Sequence, residues 1–213
     1  MFKSKAAVAA LIPLSLAACS TPSGTITEQG VVAVRSACPA VAIPAATGDI
    51  TLFRPEGSRD ASAIDVVANI TNLRSTCDES GANIVTSVTF DVHAQRRDGR
   101  GAREVVLPYF VVAVQGGNQV QSKSVSRVGL SFADGQLRAT ARGTASGQVS
   151  RAAATLPEAI RQQITRRRKP GDPSAAVDPM ADPAVREAVR RASFEVLVGF
   201  QLTQDQLAYN ATR

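Results

Sequence analysis

The chain has 213 residues, with 24 Lys and Arg against 18 Asp and Glu for a net charge of +6, and its aromatic residues are 7 Phe, 2 Tyr and no Trp. That length suffices to bury one substantial core, and a single histidine leaves no second imidazole for an HExxH-type zinc site. So few rings also leave few platforms on which nucleobases stack, so nucleic acid is a poor partner and none is expected.

The amino terminus reads MFKSKAAVAALIPLSLAAC. Lys3 and Lys5 precede an apolar run of signal-peptide length, shorter than the roughly 20 apolar residues that cross a bilayer. Leu16-Ala17-Ala18-Cys19 resembles the lipobox of bacterial lipoproteins. The resemblance implies that residues 1–18 are a removed signal peptide and that Cys19 is acylated. In such lipoproteins an Asp after the cysteine retains the protein at the inner membrane; Ser20 here implies the outer membrane, periplasmic face. Acyl chains contribute about 0.8 kcal/mol per buried methylene, so they anchor a domain without a membrane helix. A buried helix over 6–18, with Cys19 facing a core, is the alternative. Loss of Lys3 and Lys5 takes the excess charge from +6 to +4, a mild imbalance. The partners it suggests are the membrane itself, an envelope protein or an anionic polymer.

Cys38 and Cys77 then remain, an even number in an oxidising compartment, and a disulfide between them is expected. Closing that loop is worth about 4 kcal/mol on the chain-entropy model. Two unrelated buried thiols, or metal binding with the lone histidine, stand as alternatives.

Residues 19–30 are rich in Ser, Thr, Pro and Gly and read as a lipidated, flexible tether. Residues 31–213 form the domain, in which a period of two takes over. Ile64, Val66, Ala68 and Ile70 share one face of a strand, and Ile84, Val88, Phe90, Val92 and Ala94, with Thr86 among them, share one face of the next. EVVLPYFVVAV is more continuously apolar, and Pro108 within it suggests an edge or a bulge. QGGNQ supplies a hairpin turn, Val128, Leu130 and Phe132 fall on one side, and ADGQ turns the chain again. LRATARGTASGQV alternates small apolar and polar residues as a strand does.

Helical signals begin at Thr155. Thr155-Leu156-Pro157-Glu158 fits a capping box, Leu156, Ala159, Ile160 and Ile164 recur at helical spacing, and Arg166 to Lys169 suit the helix carboxyl end. A second helix starts at Pro183, with Val185, Ala188, Val189 and Ala192 on one face. FEVLVGFQL then returns to period two as a last core strand. The expected fold is therefore mainly β: an antiparallel immunoglobulin-like or LEA-like sandwich with a two-helix insertion, about 150–192, before the last strand. A Cys38–Cys77 bridge would pin its amino-terminal edge. CPAVAIP, STCDESG, PYFVVAV and VGFQLTQDQLAYN resemble blocks of an uncharacterised family of proteobacterial envelope lipoproteins, which implies location and fold but no activity.

No motif carries a recognisable chemistry. His93 shares a strand face with Asp91 and Gln95, an arrangement that a solvated strand also presents by chance. GTASG places its serine one position late for a nucleophile elbow. No catalytic residue, cofactor or metal is assigned. The richest feature is the basic cluster Arg161, Arg166, Arg167, Arg168 and Lys169, joined by Arg186, Arg190 and Arg191 if the helices pack, a candidate surface for anions or a partner. The tether that the lipobox resemblance implies, together with the lack of a catalytic motif, favours a non-catalytic, membrane-tethered binding or assembly module. Its rivals are a periplasmic hydrolase using carboxylates such as Asp65, Asp91 or Glu195, and a structural envelope component.

Overall fold

The computed structural model describes residues 25–27, 30–32, 36–166, 171, 173 and 177–212. Strands β1 (Thr25–Thr27) and β2 (Gly30–Val32) pair as a small antiparallel hairpin in a separate amino-terminal unit. The rest is a two-sheet β-sandwich. Its strands are β3 (Ala40–Ala42), β4 (Asp49–Phe53), β5 (Ile64–Asp78), β6 (Asn83–Arg96), β7 (Arg103–Gln115), β8 (Gln119–Phe132), β9 (Arg138–Ser150) and β10 (Phe194–Phe200). The first sheet has the order β3-β10-β7-β8, with β3 parallel to β10 and the other pairs antiparallel; the second, fully antiparallel, has the order β4-β5-β6-β9.

Alternation along each strand builds the core. Val66, Ala68 and Ile70 of β5 and Val88, Phe90, Val92 and Ala94 of β6 face Val105, Leu107, Tyr109 and Val111 of β7, with Val128, Leu130 and Phe132 of β8 and Val196, Val198 and Phe200 of β10. Each Val, Leu, Ile and Phe among them contributes roughly 1.5–3 kcal/mol by leaving water. Phe90 packs edge-on against Tyr109 at 5.1 Å, and Gly143, its cross-strand partner in β9, makes room: a Cβ there would lie 2.2 Å from the Phe90 ring. The Tyr109 hydroxyl donates to the Thr144 carbonyl at 2.7 Å, which satisfies its polar end.

Pro108 does not mark an edge, because β7 lies between β10 and β8. The β10 ladder stops at the Tyr109–Phe200 pair, and just past it the Pro108 carbonyl accepts from Gln201 N–H. A residue's two backbone groups point to one side of an antiparallel strand, so the missing N–H falls where that ladder has ended. The bulge of this strand pair lies instead on β8, where Gln121 is the extra residue between the partners of Ala113 and Val114. The β7–β8 hairpin turns at Gly116 and Gly117, both at positive φ (61° and 81°), as the expected tight turn requires.

Between β9 and β10 lie α1 (Arg151–Ala154), α2 (Glu158–Thr165) and α3 (Pro183–Arg191). The expected capping box at Thr155 does not form. Pro157 occupies the N-cap of α2, the Thr155 hydroxyl donates back to the Arg151 carbonyl, and Glu158 pairs with Arg161. Asp182 caps α3 by accepting from Ala184 N–H at 2.8 Å, and Val185 is fully buried. A fourth helix, α4 (Gln204–Thr212), follows the last strand and packs on β4, with Phe53 edge-on to Tyr209 at 5.1 Å and the Asn210 amide donating to the Ala46 and Asp49 carbonyls. It opens with a reciprocal capping box: Gln206 N–H donates to the Thr203 hydroxyl, and Thr203 N–H to the Gln206 amide oxygen.

Candidate functional site

Cys19 lies outside the described residues, as do Arg167, Arg168 and Lys169. Cys38 and Cys77 form the expected disulfide, with Cα atoms 6.1 Å apart. It ties the segment ahead of β3 to the carboxyl end of β5. Glu79 sits beside it and accepts from the Ser36 hydroxyl at 3.1 Å. The two sulfurs and the Glu79 carboxylate come within metal-ligand reach of one another, but the joined sulfurs are not thiolates and this is a covalent staple.

The basic residues of the insertion are largely committed to local partners. Arg161 clamps Glu158 through two bonds of 2.7 and 2.6 Å, and Arg190 clamps Glu187 at 2.9 and 2.8 Å, with Arg191 on the same carboxylate at 3.4 Å. Both acids are held below the usual carboxylate range, chiefly by those guanidinium hydrogen bonds. Arg186 donates to the Met180 and Ala181 carbonyls at 3.2 Å. Arg166 caps α2 and lines a groove of about 810 Å³ between that helix and residues 177–182.

The candidate carboxylates are not brought together. Asp65 receives two bonds from Arg103, at 2.8 and 2.7 Å, with Arg54 at 3.4 Å, and Arg103 leads in lowering its pKa. Asp91 accepts from the Asn72 amide at 2.7 Å and from Arg142 at 3.3 Å, and is lowered first by that amide. Asn72 has a positive φ of 51° at a β5 bulge opposite Phe90, which aims its amide at Asp91. Asp65 is six residues along β5 from Thr71, the partner of Asp91, so about 20 Å of strand separates them. Glu195 is half-buried on the other sheet. His93 does share the outer face with Asp91, yet its Nδ1 meets the Thr140 hydroxyl at 3.2 Å while Asp91 faces Asn72 and Arg142.

The larger concavity lies on the outer face of the second sheet. It is an open groove of about 1010 Å³. Two ladder rows floor it, Asn69–His93 and Val67–Gln95–Arg138, and the turn at Ala61 and Ser62 walls one side. Arg97 holds that turn by donating to the Ala61 and Ser62 carbonyls. Arg138 has no hydrogen-bond or ion-pair partner among the described residues. The cationic groove escaped the sequence reading because Arg97 and Arg138 are 41 positions apart and only pairing of β6 with β9 unites them. Their parity with His93 and Gln95 was the available signal.

No protein-family profile, curated protein or solved structure matches this chain. Among the described residues no helix is long and apolar enough to cross a membrane.

Proposed function

We propose that this chain is a lipid-anchored module of the bacterial envelope, tethered through acylated Cys19 to the periplasmic face of the outer membrane, which binds or assembles with a partner rather than transforming it. The observation that carries the reading is the Cys38–Cys77 bridge in a sandwich whose sequence starts with a lipobox-like leader. Structural disulfides persist in oxidising compartments, and a signal-like leader delivers a chain to one. A binding role is supported by the carboxylates. Glycosidases place their two carboxyls about 5–9.5 Å apart with one kept protonated, whereas Asp65 and Asp91 lie much farther apart, and both are held ionised by donors.

Membrane fractionation with mass analysis of the amino terminus tests the tether. The expected product begins at acylated Cys19 and sediments with outer membranes, and Cys19→Ala leaves the chain out of that fraction. An unmodified, uncleaved chain in the soluble cytosol would overturn the proposal.

A further inference from the structure

Charge changes character along the outer face of the second sheet. At the Asp91 end it closes on itself, since Asp91 is shared by Asn72 and Arg142. At the other end Arg97 spends its guanidinium on two backbone carbonyls, and Arg138 on no protein group among the described residues. The acid lining the groove, Asp65, is already taken by Arg103 and Arg54. Two cations therefore stand in the groove with no carboxylate to balance them. Around them are polar side chains of several kinds: the exposed Gln95 amide and His93 ring, and the half-buried Asn69 amide. Ala61, Ile64 and Val67 add an apolar lining between these groups, and no Phe, Tyr or Trp takes part.

We propose that this groove binds a carboxylated oligosaccharide, an inference that rests on the chain being a binding module and names what it holds. Guanidinium forks match carboxylates in plane and spacing, and amides and hydroxyls match sugar hydroxyls. An extended acidic peptide suits the site less well. Peptides joining a sheet pair along an unpaired strand edge, whereas this groove lies on the sheet's face, its floor drawn mainly from β5 and β6, each paired on both sides, with Arg138 alone from the edge strand β9. The basic residues of α2 and α3 offer less, since Arg161, Arg190 and Arg191 already carry carboxylates.

The test is calorimetric titration of the full-length protein in detergent micelles with a tetramer of galacturonate, beside a neutral galactose tetramer and tetraglutamate. The expected result is saturable binding of the uronate that weakens with salt, with no binding of the neutral sugar. Arg138→Ala should weaken it about tenfold and Gln95→Leu severalfold, while Arg161→Ala changes nothing; melting temperatures show that each variant is folded. Absence of saturable uronate binding, indifference to Arg138→Ala, or equal affinity for tetraglutamate would each overturn the proposal. Mass analysis of the same preparations separates this outcome from the tether. An acylated chain that ignores the uronate sinks the ligand alone, and an unacylated chain that binds it sinks the tether alone.

Discussion

Arg96 ends the inward-facing row of β6, where the alternation that places Phe90, Val92 and Ala94 in the core would place another apolar residue. It is 2% exposed, with no carboxylate partner among the described residues. Its Nε donates to the Gln136 carbonyl at 2.7 Å, Nη1 to Gly101 at 2.8 Å, and Nη2 to Gly99 at 2.6 Å and Ala133 at 2.9 Å, while the guanidinium lies 5.2 Å from the centre of the Phe132 ring. One side chain thus joins the β6–β7 loop to the β8–β9 loop, which also meet through Gly135 N–H on the Gly99 carbonyl and Gly101 N–H on Asp134. Arg96→Met keeps the length and removes every donor. Bonds to a charged group are worth roughly 1.5–3 kcal/mol each, and four taken singly would approach the whole stability of a domain. They are not additive, because Gln136, Gly101 and Ala133 are exposed and their carbonyls regain water. About two such bonds' worth, roughly 4 kcal/mol, remains, which for a domain of this size lowers the melting temperature by roughly 8–16 °C. Thermal unfolding followed by circular dichroism reads this directly, and amide exchange at Gly101 and Gly135 should quicken in step. Arg96→Lys, a point charge without the fork, should recover only part. A Met variant melting within about 2 °C of the parent would refute the reasoning.

Replacing Cys38 and Cys77 together by Ser should cost about 4 kcal/mol in a denaturant titration, from the chain entropy restored to the unfolded state; an unchanged midpoint would mean that the bridge constrains nothing. Gly143→Ala should destabilise by about 2–3 kcal/mol, because the new Cβ meets the Phe90 ring and that ring is locked against Tyr109. The same substitution at exposed Gly57, where a Cβ meets nothing within 4 Å, is the control. Asp65→Asn should lower the melting temperature near pH 7 and matter little in acid. The folded-state pKa of Asp65 lies below its ordinary value of 3.8, so its stabilisation is full above that value and is lost as pH falls through the folded-state value. A gap between parent and variant that widened on acidification would contradict the pairing with Arg103.

Most of the core was legible from alternation alone. In β6 every inward residue from Ile84 to Ala94 was identified, including Thr86, which is 1% exposed, and the helical insertion and last strand fell where their periodicities placed them. Failures occurred where local pattern and tertiary demand diverge. β4 has only five residues, Asp49–Phe53, and is buried on both faces once α4 covers it, so no alternation shows. The capping signature at Thr155 fails because Pro157 takes the N-cap, while Thr203 and Gln206, whose spacing fits the same signature, form the box that operates. Pro108 was a sound breaker signal whose consequence depended on where a strand from a distant part of the chain stops.

Sequence alone determined which residues face inward, where the turns and the insertion fall, and that two cysteines remain to pair, because strand pleat, turn conformations and sulfur counting are local or compositional properties. The three-dimensional arrangement decided the rest. Which strands adjoin, that an arginine closes one end of the core, that Arg161, Arg190 and Arg191 are spoken for while Arg138 is not, and that Arg97 and Arg138 share a groove with His93 all depend on partners far apart in the chain. Coulomb and hydrogen-bond energies fall off over a few ångströms, and that proximity exists only after the sheets have assembled.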